Sequence, residues 1–146
     1  MKKNERGINM KVLVIGGVAA GTKVAAKLKR LDRSAQVKIL TMSKDISYAG
    51  CGLPYYVGDL IHDRSELVVN TPEKYAALTG AEVETEVEVT SVDRGAKTVT
   101  AVDHKTGETR NYDYDKLVIA TGASPIVPPV EGVHLKNVFV MRTPDD

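Results

Sequence analysis

The chain has 146 residues, 42% of them hydrophobic and 27% charged, the composition of an ordinary soluble globular domain with a core of its own. Its 20 basic and 19 acidic residues leave a net charge of +1, which excludes a chain drawn as a whole to nucleic acid or to an anionic membrane surface. No apolar run approaches the roughly 20 residues of a membrane span, and a single cysteine excludes a disulfide scaffold, so a cytoplasmic protein without a metal site is expected.

Residues 1–9, MKKNERGIN, have no apolar stretch behind their basic residues and read as a disordered extension ahead of a domain that starts at Met10. In MKVLVIGG the run Val12, Leu13, Val14, Ile15 does not alternate, the mark of a strand buried on both faces of a parallel sheet. Two glycines stop it. Val24, Ala25, Leu28 and Leu31 then follow helical spacing across Thr22 to Leu31, and AQVKILTM supplies a second strand, so a βαβ unit is expected. The segment 43–70 is irregular. In NTPEKYAAL, Thr71 can cap a short helix with Pro72 in its first position. Val83, Thr85, Val87 and Val89 alternate with glutamates as one half-solvated strand, and with KTVTAVD and TRNYDYD this predicts an antiparallel meander over residues 81–114. KLVIATG returns to a buried strand, ASPIVPPVEG breaks it, and NVFVM is a candidate last strand.

The loop VLVIGGVAAG sets Gly16, Gly17 and Gly21 between a strand and an amphipathic helix. That is where backbone N–H groups and a helix dipole bind a dinucleotide pyrophosphate. The middle glycine of the usual G-x-G-x-x-G is replaced by Val18, and Ala19 and Ala20 complete the loop. An acidic residue is expected about 20 positions on, to accept hydrogen bonds from ribose hydroxyls. Thr41 and Met42 stand there instead, leaving a neutral bond from Thr41 or a reach from Asp45 in the following loop.

Three segments in fixed order, VIGGVAAG, SYAGCGLPYYVG and YDKLVIATGASP, resemble the FAD-binding domain of the pyridine nucleotide-disulfide oxidoreductases, in the branch with a single active cysteine. The resemblance covers residues 10–146. It implies an α/β, Rossmann-like fold, a parallel sheet with helices on one side and a three-stranded antiparallel meander on the other. It also implies FAD, bound over Gly16, Gly17, Val18, Ala19, Ala20 and Gly21, with Thr41, Met42, Thr121 and Gly122 near the nucleotide. NAD(P)H is the implied co-substrate of the full-length enzyme, which is expected to be a homodimer.

In that family the thiol matching Cys51 works beside the flavin, and Ser47 matches the serine of an S-x-x-x-C pattern. The physics asks for a stabilised thiolate with open backbone around it, which Gly50 and Gly52 can offer. No second cysteine follows at Tyr55 or Tyr56, so the acceptor must be an external thiol, a sulfur chain or an oxidant. Oxidases and peroxidases of the branch carry a histidine where this chain has Ala19, which favours a disulfide or persulfide substrate of the coenzyme A type. Lys23, Lys27 and Arg30 match the helix positions that hold coenzyme A in relatives. His62, His104 and His134 fall in loop-like segments and are expected at the surface. The second glycine loop and C-terminal domain of full-length relatives are not in this sequence, so it is read as a partial FAD-binding domain, inactive alone. The alternatives are an NADH oxidase or peroxidase of the same branch, and a stand-alone nucleotide-binding module whose cysteine is structural.

Overall fold

The computed structural model describes residues 9–146, so the disordered extension expected at residues 1–9 falls outside the described residues except for Asn9. The strand Lys11–Ile15 (β1) leads into the helix Ala19–Leu31 (α1), which starts one turn before the apolar periodicity does, and then into Gln36–Thr41 (β2). Two short helices follow, Leu53–Val57 (α2) and Pro72–Thr79 (α3). Thr71 caps α3 as expected, its hydroxyl accepting from Lys74 N at 3.2 Å. The strands Glu82–Thr85 (β3), Val87–Asp93 (β4), Thr98–Asp103 (β5), Thr109–Asp113 (β6) and Lys116–Ile119 (β7) complete the chain's regular structure.

β1 explains its own sequence. It pairs in parallel with β2 on one side and β7 on the other, at the centre of a four-stranded sheet of order β3-β2-β1-β7. Val12 and Val14 pack with Ala25 of α1 and Tyr75 of α3, while Leu13 faces Leu40, Val87, Val99 and Ala101 on the other side. A strand covered on both faces needs apolar residues at every position, and each such side chain contributes roughly 1.5–3 kcal/mol on burial. The second cluster lies under the β4-β5-β6 antiparallel sheet, so the parallel sheet has helices on one face and the meander on the other.

Two expectations are corrected. The alternating run over residues 81–89 is two strands: β3 pairs with β2 in the parallel sheet, and only from Val87 does the chain join the meander. Glu86 marks the change with φ +60°, and its N–H bonds Ser43 O while its carbonyl accepts from His104 N. The alternation continues through the break because each half buries one face. NVFVM forms no strand. Residues 120–146 are irregular and largely exposed, Phe139 included, since β7 is the sheet edge and nothing pairs with this run.

Candidate active site

β1, β2 and β7 run parallel, so their carboxyl ends share one edge of the sheet. The chain's path also switches sides at β1, the place where open α/β sheets take nucleotides. The three sequence segments converge there on the glycine loop. Gly16, at φ +108°, donates to Leu40 O at 2.8 Å, and a side chain on it would drive into Ala120 O just before Thr121. Gly17 O accepts from Ser47 N at 2.9 Å, which ties the cysteine segment to the same loop. A Cβ on Gly17 would lie 3.0 Å from both Ile46 Cγ2 and Thr41 Cγ2. The glycines are therefore required by the joining of three chain segments as much as by any ligand.

Val18 is the N-cap of α1, which has no side-chain cap and no acidic residue in its first turn. The first N–H groups of a helix have no partner within it, and here the positive end of the helix faces the loop. That donor set fits an anionic pyrophosphate, the group that FAD would place there. Thr22 supports the turn from within, its hydroxyl donating to Val18 O and, at 3.4 Å, to Ala19 O. Thr121 and Gly122 are exposed just beyond β7, Gly122 at φ +76°.

Cys51 lies in a 3₁₀ turn, Gly50–Gly52, that runs into α2, and its thiol is free and exposed. The two flanking glycines do different things. A Cβ on Gly52 would come 2.8 Å from Leu67 Cδ2, so that side is packed, whereas a Cβ on Gly50 would meet nothing within 4 Å. The turn thus has room for a side chain at Gly50 and none at Gly52. The turn is framed by residues 67–69: Tyr48 bridges Val68, Ala49 N donates to Leu67 O at 2.7 Å, and Val69 N donates to Ser47 O at 3.1 Å. Ser47 holds φ +50° at this corner, and its hydroxyl accepts from Asn70 Nδ2 at 3.5 Å. Among the described residues it makes no hydrogen bond to Cys51.

The site also contains a charged hub that the sequence did not reveal. Arg64 Nη2 reaches Asp45 Oδ2 at 2.6 Å and Asp145 Oδ1 at 2.8 Å, and Lys44 Nζ meets the same Asp145 oxygen at 2.7 Å. Asp45 is thereby committed to Arg64, contrary to its expected reach toward a ribose. The available signal was Asp63-Arg64-Ser65-Glu66, a capping box that fixes the turn carrying Arg64. The hydrogen bond from Lys44 holds the Asp145 carboxyl below its usual value against the opposing effect of burial, with Arg64 adding to it. A depressed folded value means the tie is present above the unfolded pKa and is lost as pH falls through the folded one. The Asp145 tie to Arg64 is therefore expected to persist as pH falls through the ordinary aspartate range and to loosen only below it, whereas Asp145→Asn removes this carboxylate tie already at neutral pH and leaves the bond from Arg64 Nε to Pro144 O. Amide exchange of residues 142–146 measured across pH checks both.

Lys23, Lys27 and Arg30 are exposed on α1 and enter no ion pair among the described residues. His62, His104 and His134 are exposed as expected. Among the described residues no helix is long and apolar enough to cross a membrane, and no group of His, Cys, Asp and Glu is placed to hold a metal.

Residues 10–146 match the family model described as pyridine nucleotide-disulphide oxidoreductase. The chain is 39% identical over 142 residues to the NAD(P)H coenzyme A polysulfide/persulfide reductase of Pyrococcus horikoshii, covering 96% of this chain and 31% of that protein. It is 34% identical to the NADH oxidase of Methanocaldococcus jannaschii, covering 94% of this chain and 30% of that one. Among solved structures, the NAD-dependent persulfide reductase from A. fulgidus superposes with a TM-score of 0.79 at 42% identity, over 86% of this chain and 23% of that one. The chain thus spans about a third or less of the length of these relatives.

Proposed function

The chain belongs to the pyridine nucleotide-disulphide oxidoreductase family, and from that premise we propose that residues 10–146 form part of an FAD-binding domain whose single redox thiol, Cys51, reduces a disulfide or persulfide of the coenzyme A type. The observation that carries this reading is the convergence of the exposed thiol segment, the glycine loop and the exit of β7, joined through Ser47 N to Gly17 O and through Gly16 packed on Ala120. A core cysteine would not be exposed, which speaks against the structural-cysteine alternative.

The glycine loop and the first turn of α1 hold the pyrophosphate, and Thr121 and Gly122 border the nucleotide. When bound, FAD supplies the two-electron link between NAD(P)H and sulfur. Cys51 does the sulfur chemistry. Its thiolate attacks one sulfur of the substrate, the Cys51–sulfur bond forms as the substrate S–S bond breaks, and the displaced thiolate leaves with the bonding pair and takes up a proton. Gly50 adds no side chain next to Cys51. Lys23, Lys27 and Arg30 supply positive charge on α1 for the phosphates of a coenzyme A substrate. An oxidase reading draws on the archaeal NADH oxidase relative, but Ala19 provides no proton-transfer group in the loop. A homodimeric, cytoplasmic full-length enzyme goes with this reading and with one free thiol in a reducing compartment.

Titrating the chain with FAD is expected to give saturable quenching of flavin fluorescence that ADP competes away. No saturation up to about 1 mM FAD, equivalent to less than roughly 4 kcal/mol of binding, would count against the proposal.

A further inference from the structure

We infer that residues 142–146 form an ion-paired strap across the carboxyl edge of the parallel sheet, and that this strap swings open to let a nucleotide enter or leave. The inference rests on the nucleotide reading above and adds how access to that site is controlled. In the sheet β1 lies between β2 and β7, so the glycine loop leaves the edge between the exits of those two strands. The strap is tied beyond both. On the β7 side Arg142 Nε donates to Ala123 O at 2.9 Å, and a Cβ on Gly122 would come 3.2 Å from Arg142 Nη2. On the β2 side, past Thr41 and the exposed Met42, Lys44 and Arg64 both hold Asp145, and Arg64 is itself anchored by Asp45.

Between those ties the strap is a closed turn. Asp146 Oδ2 accepts from Arg142 N at 2.8 Å, from Thr143 N at 2.6 Å and from the Thr143 hydroxyl at 3.1 Å, so the five residues move as one piece. Apolar packing does not hold that piece down, since none of its residues belongs to either core cluster. Charge does. Asp145 sits between two cations, and its side chain and that of Lys44 are about half exposed. Ion pairs at such exposure are weak and are made and broken readily. The two ties also differ in kind. Arg142 on Ala123 joins the strap to the stretch of chain that leads into it, which makes that end the hinge, whereas Asp145 reaches a separate part of the chain and acts as the catch. Gly122 borders the nucleotide in the reading above, so a strap lying against it covers the site when the catch is made and uncovers it when the catch is released.

The probe is FAD, its uptake by the whole chain and its release followed by stopped-flow flavin fluorescence. The parent is compared with Asp145→Asn, which leaves only the long bond from Arg64 Nε to Pro144 O at 3.4 Å, and with Lys44→Gln, which removes one of the two cations. A gate acts on passage in both directions. Asp145→Asn is therefore expected to raise the association and release rates together by about 3- to 10-fold with Kd within about 2-fold of the parent, and Lys44→Gln to raise both by about 2-fold. Lys44 is exposed, so its variant reads out even if Asp145→Asn folds poorly. Equal rates in all three chains overturn the inference and leave the nucleotide reading standing. A release rate that rises alone, with affinity falling in step, also overturns it, because Asp145 then holds the nucleotide in place and does not gate its passage. A parent that takes up no FAD beside an Asp145→Asn chain that does is the expected result in its strongest form, and no uptake by any of the three overturns both readings.

Discussion

Replacing Gly21 by alanine is expected to destabilise the chain by about 3–5 kcal/mol, a loss at the upper end for a single substitution. Propensity alone argues the other way, since alanine in a helix interior is better than glycine by about 1 kcal/mol. Space decides against it. A Cβ at Gly21 would sit inside the contact radius of Gly16 O, 3.0 Å from Gly16 C and 3.2 Å from Val14 Cγ1. The obstacle is backbone, and that backbone cannot retreat. Gly16 N is bonded to Leu40 O at 2.8 Å, and its other side is closed by Ala120 O. Relief requires lifting α1 from the sheet, which uncovers Ala25 and the helix-side face of β1. Urea unfolding followed by far-ultraviolet dichroism measures the loss, with Ala20→Gly, an exposed first-turn change worth at most about 1 kcal/mol, as the comparison. A Gly21→Ala chain as stable as the parent would mean that α1 does not approach β1 this closely.

How far the sequence could be read depended on the distance over which each decision is made. β1 announced its burial on both faces through four consecutive apolar residues, and Thr71-Pro72 announced the start of α3, because in each case neighbouring residues carry the cause. The break at Glu86 left no such mark. Both halves of the alternating run bury one face, and only the choice of partner, β2 for one and β5 for the other, separates them. NVFVM has the composition of a strand, but a strand needs an edge to pair with, and composition does not reveal whether one is within reach. The glycine loop, Cys51 and the β7 exit were identified as motifs, and what the fold added is their junction through Ser47, Gly17, Gly16 and Ala120. The Arg64 hub was missed because its partners lie 19 and 81 positions away. Charges at that separation meet only through the completed topology.

Replacing Cys51 by serine is expected to abolish covalent capture of a disulfide, an all-or-none effect rather than a graded one. Incubated with coenzyme A disulfide and freed of excess reagent, the parent chain is expected to gain the mass of one coenzyme A unit, reversed by dithiothreitol. The stoichiometry follows from the sequence, because Cys51 is the single cysteine and no other side chain exchanges with a disulfide. Serine keeps the size of the side chain but not its chemistry, since a hydroxyl neither ionises near neutral pH nor forms a bond to a thiol sulfur. Its effect on folding is expected to be small, about 0.5 kcal/mol or less, because the position is exposed. The flanking glycines give the prediction a second handle. Gly50→Val places a branched side chain next to Cys51, where the turn has room for one, and is expected to slow capture while leaving stability near that of the parent. Gly52→Ala presses on Leu67, which is fully buried, and is expected to lower stability instead. A thiol that serves only as filler predicts the reverse order, with stability falling at Cys51 and no difference in capture between the glycine variants. Rates of adduct formation by intact-mass spectrometry, set beside urea midpoints for the same variants, separate an accessible nucleophile from a packed one.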